Sequence, residues 1–161
     1  MLNNKVEDAL TRAQIHANMK SGCKKVSVGC LLLCKKGGMT VEVFGANRAI
    51  PDLCKSTECM RVQKYGEDSK NHRLPSDCRS IHSEVDAITH AARLGIPTQG
   101  AIAIVTRYPC EACARALVSA GISEVYYGRQ QKITDETHRI LLTGGIKITW
   151  MKGWTDEDTE R

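Results

Sequence analysis

The stretch GAIAIVTRYPCEACARALVSAGISEVYYGR, residues 100–129, changes its hydrophobic pattern twice. GAIAIVT (100–106) is a short apolar run and reads as a buried strand. PCEACARALVSAG (109–121) reads as a helix, with proline at its first turn and glycine past its end. SEVYYGR (123–129) is a strand again. Strand, helix and strand in succession favour parallel pairing within an α/β sheet. The same alternation extends outward. HSEVDAITHAARLG (82–95) reads as a helix ending at Gly95, TDETHRILLTGG (134–145) as another, and IKITWM (146–151) as a last strand.

The N-terminal half is organised differently. NKVEDALTRAQIHANMK (4–20) repeats Val6, Ala9, Leu10, Ala13 and Ala17 at helical spacing, and Gly22 stops it. KVSVGCLLLCKKGG (25–38) gives a buried strand and a Gly-Gly turn, with MTVEVFGAN (39–47) as its hairpin partner. An antiparallel hairpin therefore precedes the parallel half. Residues 47–80 show no clear period. A structureless stretch of that length is unusual in a compact domain unless something pins it. No repeat or linker divides the chain, so one α/β domain over 1–161 is expected, with an acidic tail at 155–161 that frays.

Composition narrows the function classes. The 161 residues are 42% hydrophobic and 25% charged, a globular composition rather than a disordered or membrane one. The N-terminus MLNNKVEDAL lacks the basic-then-apolar layout of a secretory signal, so a soluble, cytoplasmic protein is expected. Net charge is +5 without a dense basic block, and aromatic residues are only 4%, too few for a row of stacking platforms. That balance suits a small anionic ligand and does not point to a polynucleotide partner or a membrane.

Eight cysteines occur, at 23, 30, 34, 54, 59, 78, 110 and 113. In a chain read as intracellular, clustered thiols suggest metal ligands before disulfides. Cys30 and Cys34 lie in the apolar strand and read as small buried hydrophobes. Cys110 and Cys113 stand at a helix start, where the unsatisfied N–H groups and the helix dipole stabilise thiolates. His82 opens the preceding helix and supplies a third, neutral ligand. A Cys2His set leaves a tetrahedral zinc with one open position for water. Zinc lowers the ionisation of such water to about pH 7. Glu84, two residues past His82, is placed to take the water's proton and deliver it to a ring nitrogen and then to a leaving amine. Each piece has a plainer reading: a helix cap for His82, a redox pair for the CxxC, a dipole-facing acid for Glu84. Their conjunction, H-x-E followed by P-C-x-x-C behind a strand, is the signature of zinc deaminases.

With VSVGCLLL, GAN, IHSEVDAI and VTRYPCEACARALVSAGISEVYYG in place, the chain resembles the cytidine/deoxycytidylate deaminase superfamily, and its deoxycytidylate (dCMP) branch most. The resemblance implies a three-layer α/β/α sandwich around a mixed five-stranded sheet. It implies catalytic zinc on His82, Cys110 and Cys113, with Glu84 as proton shuttle. It also implies that the Ser83 N–H contacts the base carbonyl, Asn47 a sugar hydroxyl, and Tyr108 the pyrimidine or sugar. Hydrolysis of dCMP to dUMP and ammonia, assembly into a homo-oligomer (dimer or hexamer), and regulation by dCTP and dTTP follow from the same resemblance.

Three positions depart from the pattern. Ser83 stands where alanine is usual, Asp86 where the dCMP branch has asparagine, and Arg48 where the family's GYNG has its last glycine. A carboxylate at 86 repels a 5′-phosphate unless it faces elsewhere or Arg48 compensates. Deamination of another aminated heterocycle (a nucleoside, a modified nucleotide, a pterin-like base or tRNA adenosine) is the alternative, and a non-enzymatic metal-binding module is the rival of another class. Cys23, Cys54, Cys59 and Cys78, with His72 as a substitute, resemble the second, structural zinc site of many dCMP deaminases. Four sulfurs there close a tetrahedron and pin the irregular segment.

Overall fold

The structure is a computed structural model that describes residues 2–23, 26–50, 54, 59–66, 78–130 and 135–155. In chain order the elements are α1 (Leu2–Lys20), β1 (Gly29–Lys36), β2 (Met39–Ala46), α2 (Met60–Tyr65) and α3 (Ser83–Arg93), then β3 (Ile102–Arg107), α4 (Glu111–Ser119), β4 (Glu124–Arg129), α5 (Asp135–Thr143) and β5 (Lys147–Trp150). The five strands form one sheet in the order β2-β1-β3-β4-β5. β1 is antiparallel to both β2 and β3, whereas β3, β4 and β5 run parallel. Hairpin first and parallel unit second is the expected mixed arrangement.

Alternation along the strands sorts side chains into two cores. Leu31, Ile104 and Tyr126 point to one face, where they meet Val6, Ala9, Leu10 and Ala13 of α1. Leu32, Ala103, Val105 and Val125 point to the other, where they meet Ala87 of α3, Leu117 of α4 and Leu141 of α5. The result is a three-layer α/β/α sandwich. All five apolar positions predicted for the first helix are buried, as are Cys30 and Cys34 in β1. No helix among the described residues is long and apolar enough to cross a membrane.

Two details differ from the sequence reading. The long irregular stretch contains α2, a helix of 6 residues, too short to show a period of its own. Pro109 lies outside the first turn of α4, one residue ahead of the N-cap Cys110. His72 and tail residues 156–161 lie outside the described residues.

A buried side chain extends the ladder between β1 and β3. Thr106 Oγ1 accepts a hydrogen bond from the Gly29 N–H at 3.0 Å, and Thr106 is fully buried. Thr106→Val keeps the shape and strands that N–H. We expect a loss of about 1–3 kcal/mol in denaturant unfolding, with Thr106→Ser losing less. Equal stability for the valine variant would show that Gly29 finds another acceptor.

Candidate metal centre and active site

The two helices whose N-termini carry the motif residues lie on the same face of the sheet, and their caps are unusual. His82 is the N-cap of α3 and Cys110 the N-cap of α4, both with extended backbone and neither with a side-chain capping hydrogen bond. Each carbonyl starts its helix in the normal way, accepting from Asp86 N at 2.9 Å and Ala114 N at 2.8 Å. The side chains are thereby free of the capping role and turn toward each other. His82 Nδ1 lies 3.5 Å from Cys110 Sγ and 3.4 Å from Cys113 Sγ. Among the described residues, these three form the group whose ligand atoms all lie within 4.8 Å of one another.

That spacing fits a metal. A tetrahedral zinc with ordinary Zn–N and Zn–S bonds sets nitrogen and sulfur about 3.5 Å apart. The protonation pattern agrees. A hydrogen bond from Cys113, offset by burial and reinforced by His82, pulls the Cys110 thiol down to about 4. Hydrogen bonding to Cys110, then to Cys78, pushes His82 up to about 10 despite its burial. Cys113 is driven upward, first by its hydrogen bond to Cys110 and then by burial. The protein gathers more negative charge at this point than it can hold without protons, and a divalent cation replaces those protons directly.

Glu84 is only 5% exposed and lies on the first turn of α3. Burial raises its proton affinity, while the His82 charge and its hydrogen bonds oppose the rise. Ser83 Oγ donates to Glu84 Oε2 at 3.1 Å, so the serine that stands in place of alanine orients the carboxyl. Glu84 also lies near enough to Cys113 to help raise that thiol. A buried carboxyl of raised proton affinity is thus packed beside a three-ligand centre.

The remaining predicted residues fall in different places. Asn47 is 6% exposed, and its carboxamide is engaged with backbone: Nδ2 donates to Val26 O at 2.9 Å and Oδ1 accepts from Val28 N at 2.8 Å. One proton on Nδ2 and one lone pair on Oδ1 are left over from these two bonds. Tyr108 is 2% exposed, and its ring packs edge-on to Tyr127 with centroids 4.9 Å apart. Tyr108 also lines a groove of about 660 Å³ shared with His138, Leu142, Ile148 and Trp150. Asp86 is buried, with Oδ2 accepting from Ala46 N at 3.1 Å and Oδ1 3.1 Å from Arg48 Nε.

Cys23, Cys54, Cys59 and Cys78 do not come together as a second ligand set among the described residues. Cys78 lies toward the first site: its sulfur is 2.8 Å from Ser80 Oγ, and its thiol is coupled electrostatically to His82. Burial pushes its thiol up, but those interactions and the Arg61 charge outweigh it and bring it to about 6. The placement of Cys78 beside His82 escaped the sequence reading, because spacing in an irregular segment does not say which way a side chain turns.

Comparison with known proteins agrees with this geometry. A family model described as the cytidine and deoxycytidylate deaminase zinc-binding region matches residues 3–129. ComE operon protein 2 of Bacillus subtilis is 27% identical over 134 residues, covering 81% of this chain and 62% of that protein. The deoxycytidylate deaminase of Enterobacteria phage T2 is 40% identical over 85 residues, covering 50% of this chain and 45% of that protein. The chain thus spans less than two thirds of the length of either relative. The crystal structure of dCMP deaminase from the cyanophage S-TIM5, in complex with dCMP and dUMP, has the same fold. It matches with a TM-score of 0.64 at 22% identity, over 89% of this chain and 94% of that one.

Proposed function

The chain belongs to the cytidine and deoxycytidylate deaminase family, and from that premise we propose that it is a zinc-dependent hydrolase converting a cytosine deoxynucleotide, dCMP, to dUMP and ammonia. The observation that carries the reading is Glu84, a buried carboxyl with raised proton affinity, set against the His82–Cys110–Cys113 centre. His82, Cys110 and Cys113 hold the zinc. When bound, zinc supplies Lewis acidity and lowers the pKa of water into the neutral range.

The chain's own groups do the rest. Glu84 takes a proton from the water that attacks C4 of the ring and hands it to N3. It then takes the second proton and delivers it to the exocyclic amine, which leaves as ammonia. Oxygen from water replaces nitrogen at C4, and Glu84 ends as it began. Ser83 holds Glu84 in line through its hydroxyl. Its backbone N–H, at the first residue of α3, has no carbonyl partner within the helix and suits the base carbonyl. Asn47 offers the unused part of its carboxamide to a sugar hydroxyl. The same reading carries a homo-oligomer, regulation by dCTP and dTTP, and a cytoplasmic location.

The test is an ammonia-release screen over cytosine nucleotides, nucleosides, pterin-like bases and tRNA adenosine with zinc-replete protein. We expect turnover of dCMP, lost on chelation and restored by zinc. Turnover of a different ring alone would overturn the substrate and keep the chemistry. Metal analysis on the same sample is expected to give at least one zinc per chain, and a second would assign a structural site among Cys23, Cys54, Cys59, Cys78 and His72.

A further inference from the structure

Arg48 and Asp86 are joined in a way that gives each of them a reason. Asp86 lies on the first turn of α3, two residues past Glu84, and its side chain is 3% exposed. A carboxylate so deep needs partners, because an unpaired buried charge is strongly destabilising. Both oxygens have one: Oδ2 takes the Ala46 N–H at 3.1 Å, and Oδ1 takes Arg48 Nε at 3.1 Å. The arginine side chain is 44% exposed. The ion pair is therefore oriented, with its negative end inside and its positive end at the surface. A ligand at the rim meets the guanidinium and not the carboxylate.

The backbone ties that residue to the segment leading into the centre. Arg48 N donates to Ile81 O at 2.9 Å and Ile81 N donates to Arg48 O at 2.9 Å, a two-bond bridge to the residue immediately before His82. On its other side Arg48 follows Asn47. The Arg48 backbone thus stands between Asn47, its chain neighbour, and the residue that precedes the first metal-centre residue, while its guanidinium is anchored to the buried carboxylate of Asp86. Nε is committed to Asp86. The terminal nitrogens of a guanidinium carry four further N–H donors in a planar fork that matches phosphate oxygens.

We propose that Arg48, held in register by Asp86, is the residue that selects a substrate bearing an anionic group on its sugar, a 5′-phosphate, over the neutral nucleoside. This rests on the deaminase reading above and deepens it by assigning the phosphate subsite. Arg48 touches the ligand, whereas Asp86 acts through Arg48 and is a positioning residue. The two departures from the family pattern then form one device, in which the carboxylate at 86 aims the arginine at 48.

Steady-state kinetics of the zinc-loaded full chain on dCMP and on deoxycytidine test it. For Arg48→Gln, the ratio of kcat/KM for dCMP to kcat/KM for deoxycytidine should fall roughly 10- to 100-fold, the range for losing a charge-assisted contact. The change should appear in KM for dCMP. Arg48→Lys should restore part of the ratio, since it keeps the charge and loses the fork. Asp86→Asn, which preserves an acceptor for Ala46 N–H, should lower the ratio less than Arg48→Gln. Inhibition by dUMP should weaken in the same order. A ratio unchanged in Arg48→Gln, whatever the absolute rates, means the pair only supports the fold and overturns the proposal. If Arg48→Gln does not fold, Arg48→Lys decides alone, and a wild-type ratio there overturns it equally. Wild-type protein inactive on both cytosine compounds would instead defeat the dCMP reading and this inference with it.

Discussion

Glu84→Gln should lower kcat on dCMP by about 10²–10⁴ while the protein keeps its zinc, the range for removing a general acid–base group. Glutamine has nearly the same shape and still accepts the Ser83 hydroxyl bond that holds the carboxyl at 3.1 Å. It cannot accept and release a proton. Stability provides a second reading. Burial raises the pKa of Glu84, so its charged form is less favourable in the folded than in the unfolded chain. A group of that kind costs stability once pH exceeds its unfolded pKa, because the unfolded state sheds the proton more readily. Removing it should leave the melting temperature at neutral pH unchanged or higher. Activity within tenfold of wild type would remove Glu84 from the mechanism. Loss of zinc would show it to be a ligand or a support for one, which the centre of three does not require. A purely structural metal module predicts no turnover to lose and an unchanged zinc content.

Much of this centre was legible because its signals are local. His82 and Glu84 are two residues apart, Cys110 and Cys113 three, and each pair falls at a helix start that proline, glycine and apolar spacing mark independently. The helix of residues 4–20 was legible for the same reason: Val6, Ala9, Leu10, Ala13 and Ala17 are all buried against the sheet. Periodicity cannot report contacts between segments. Arg48 and Asp86 lie 38 positions apart, and each looks unfavourable alone: a charge in place of glycine, and a carboxylate where a phosphate is expected. Their ion pair makes sense of both. Asn47 shows a related limit. A motif names the residue, but not that Val26 and Val28 occupy half of its carboxamide, so it also anchors the chain entering β1. The cysteines of residues 47–80 show the sharpest limit. Sulfur count and spacing do not tell a closed metal site from a thiol such as Cys78 that leans on the neighbouring centre.

Gly45→Ala should damage the same centre from outside it, costing at least about 1–3 kcal/mol of stability and roughly 10²-fold in turnover. Gly45 pairs with Cys30 in the β1–β2 hairpin, and α3 crosses directly over it. A methyl group there would overlap Ser83 O and Ala87 N, and would press on the Ala87 side chain. Those two backbone atoms stand four residues apart in the first turn of α3, the acceptor and donor of the bond that follows the one from Asp86 N to His82 O. The methyl therefore forces the helix start off the sheet, and with it His82, Ser83 and Glu84. Ala46, the next residue, is also the donor to Asp86, so the Arg48 arrangement should loosen together with the metal centre. Gly37→Ala is the control. Gly37 has φ 58° at the hairpin turn and open space around its missing side chain. Alanine there should cost about 1 kcal/mol through backbone strain alone and leave turnover and zinc content as they were. If Gly45→Ala loses only what Gly37→Ala loses, α3 tolerates the displacement, and the close approach of helix and hairpin is not what holds the metal ligands in place.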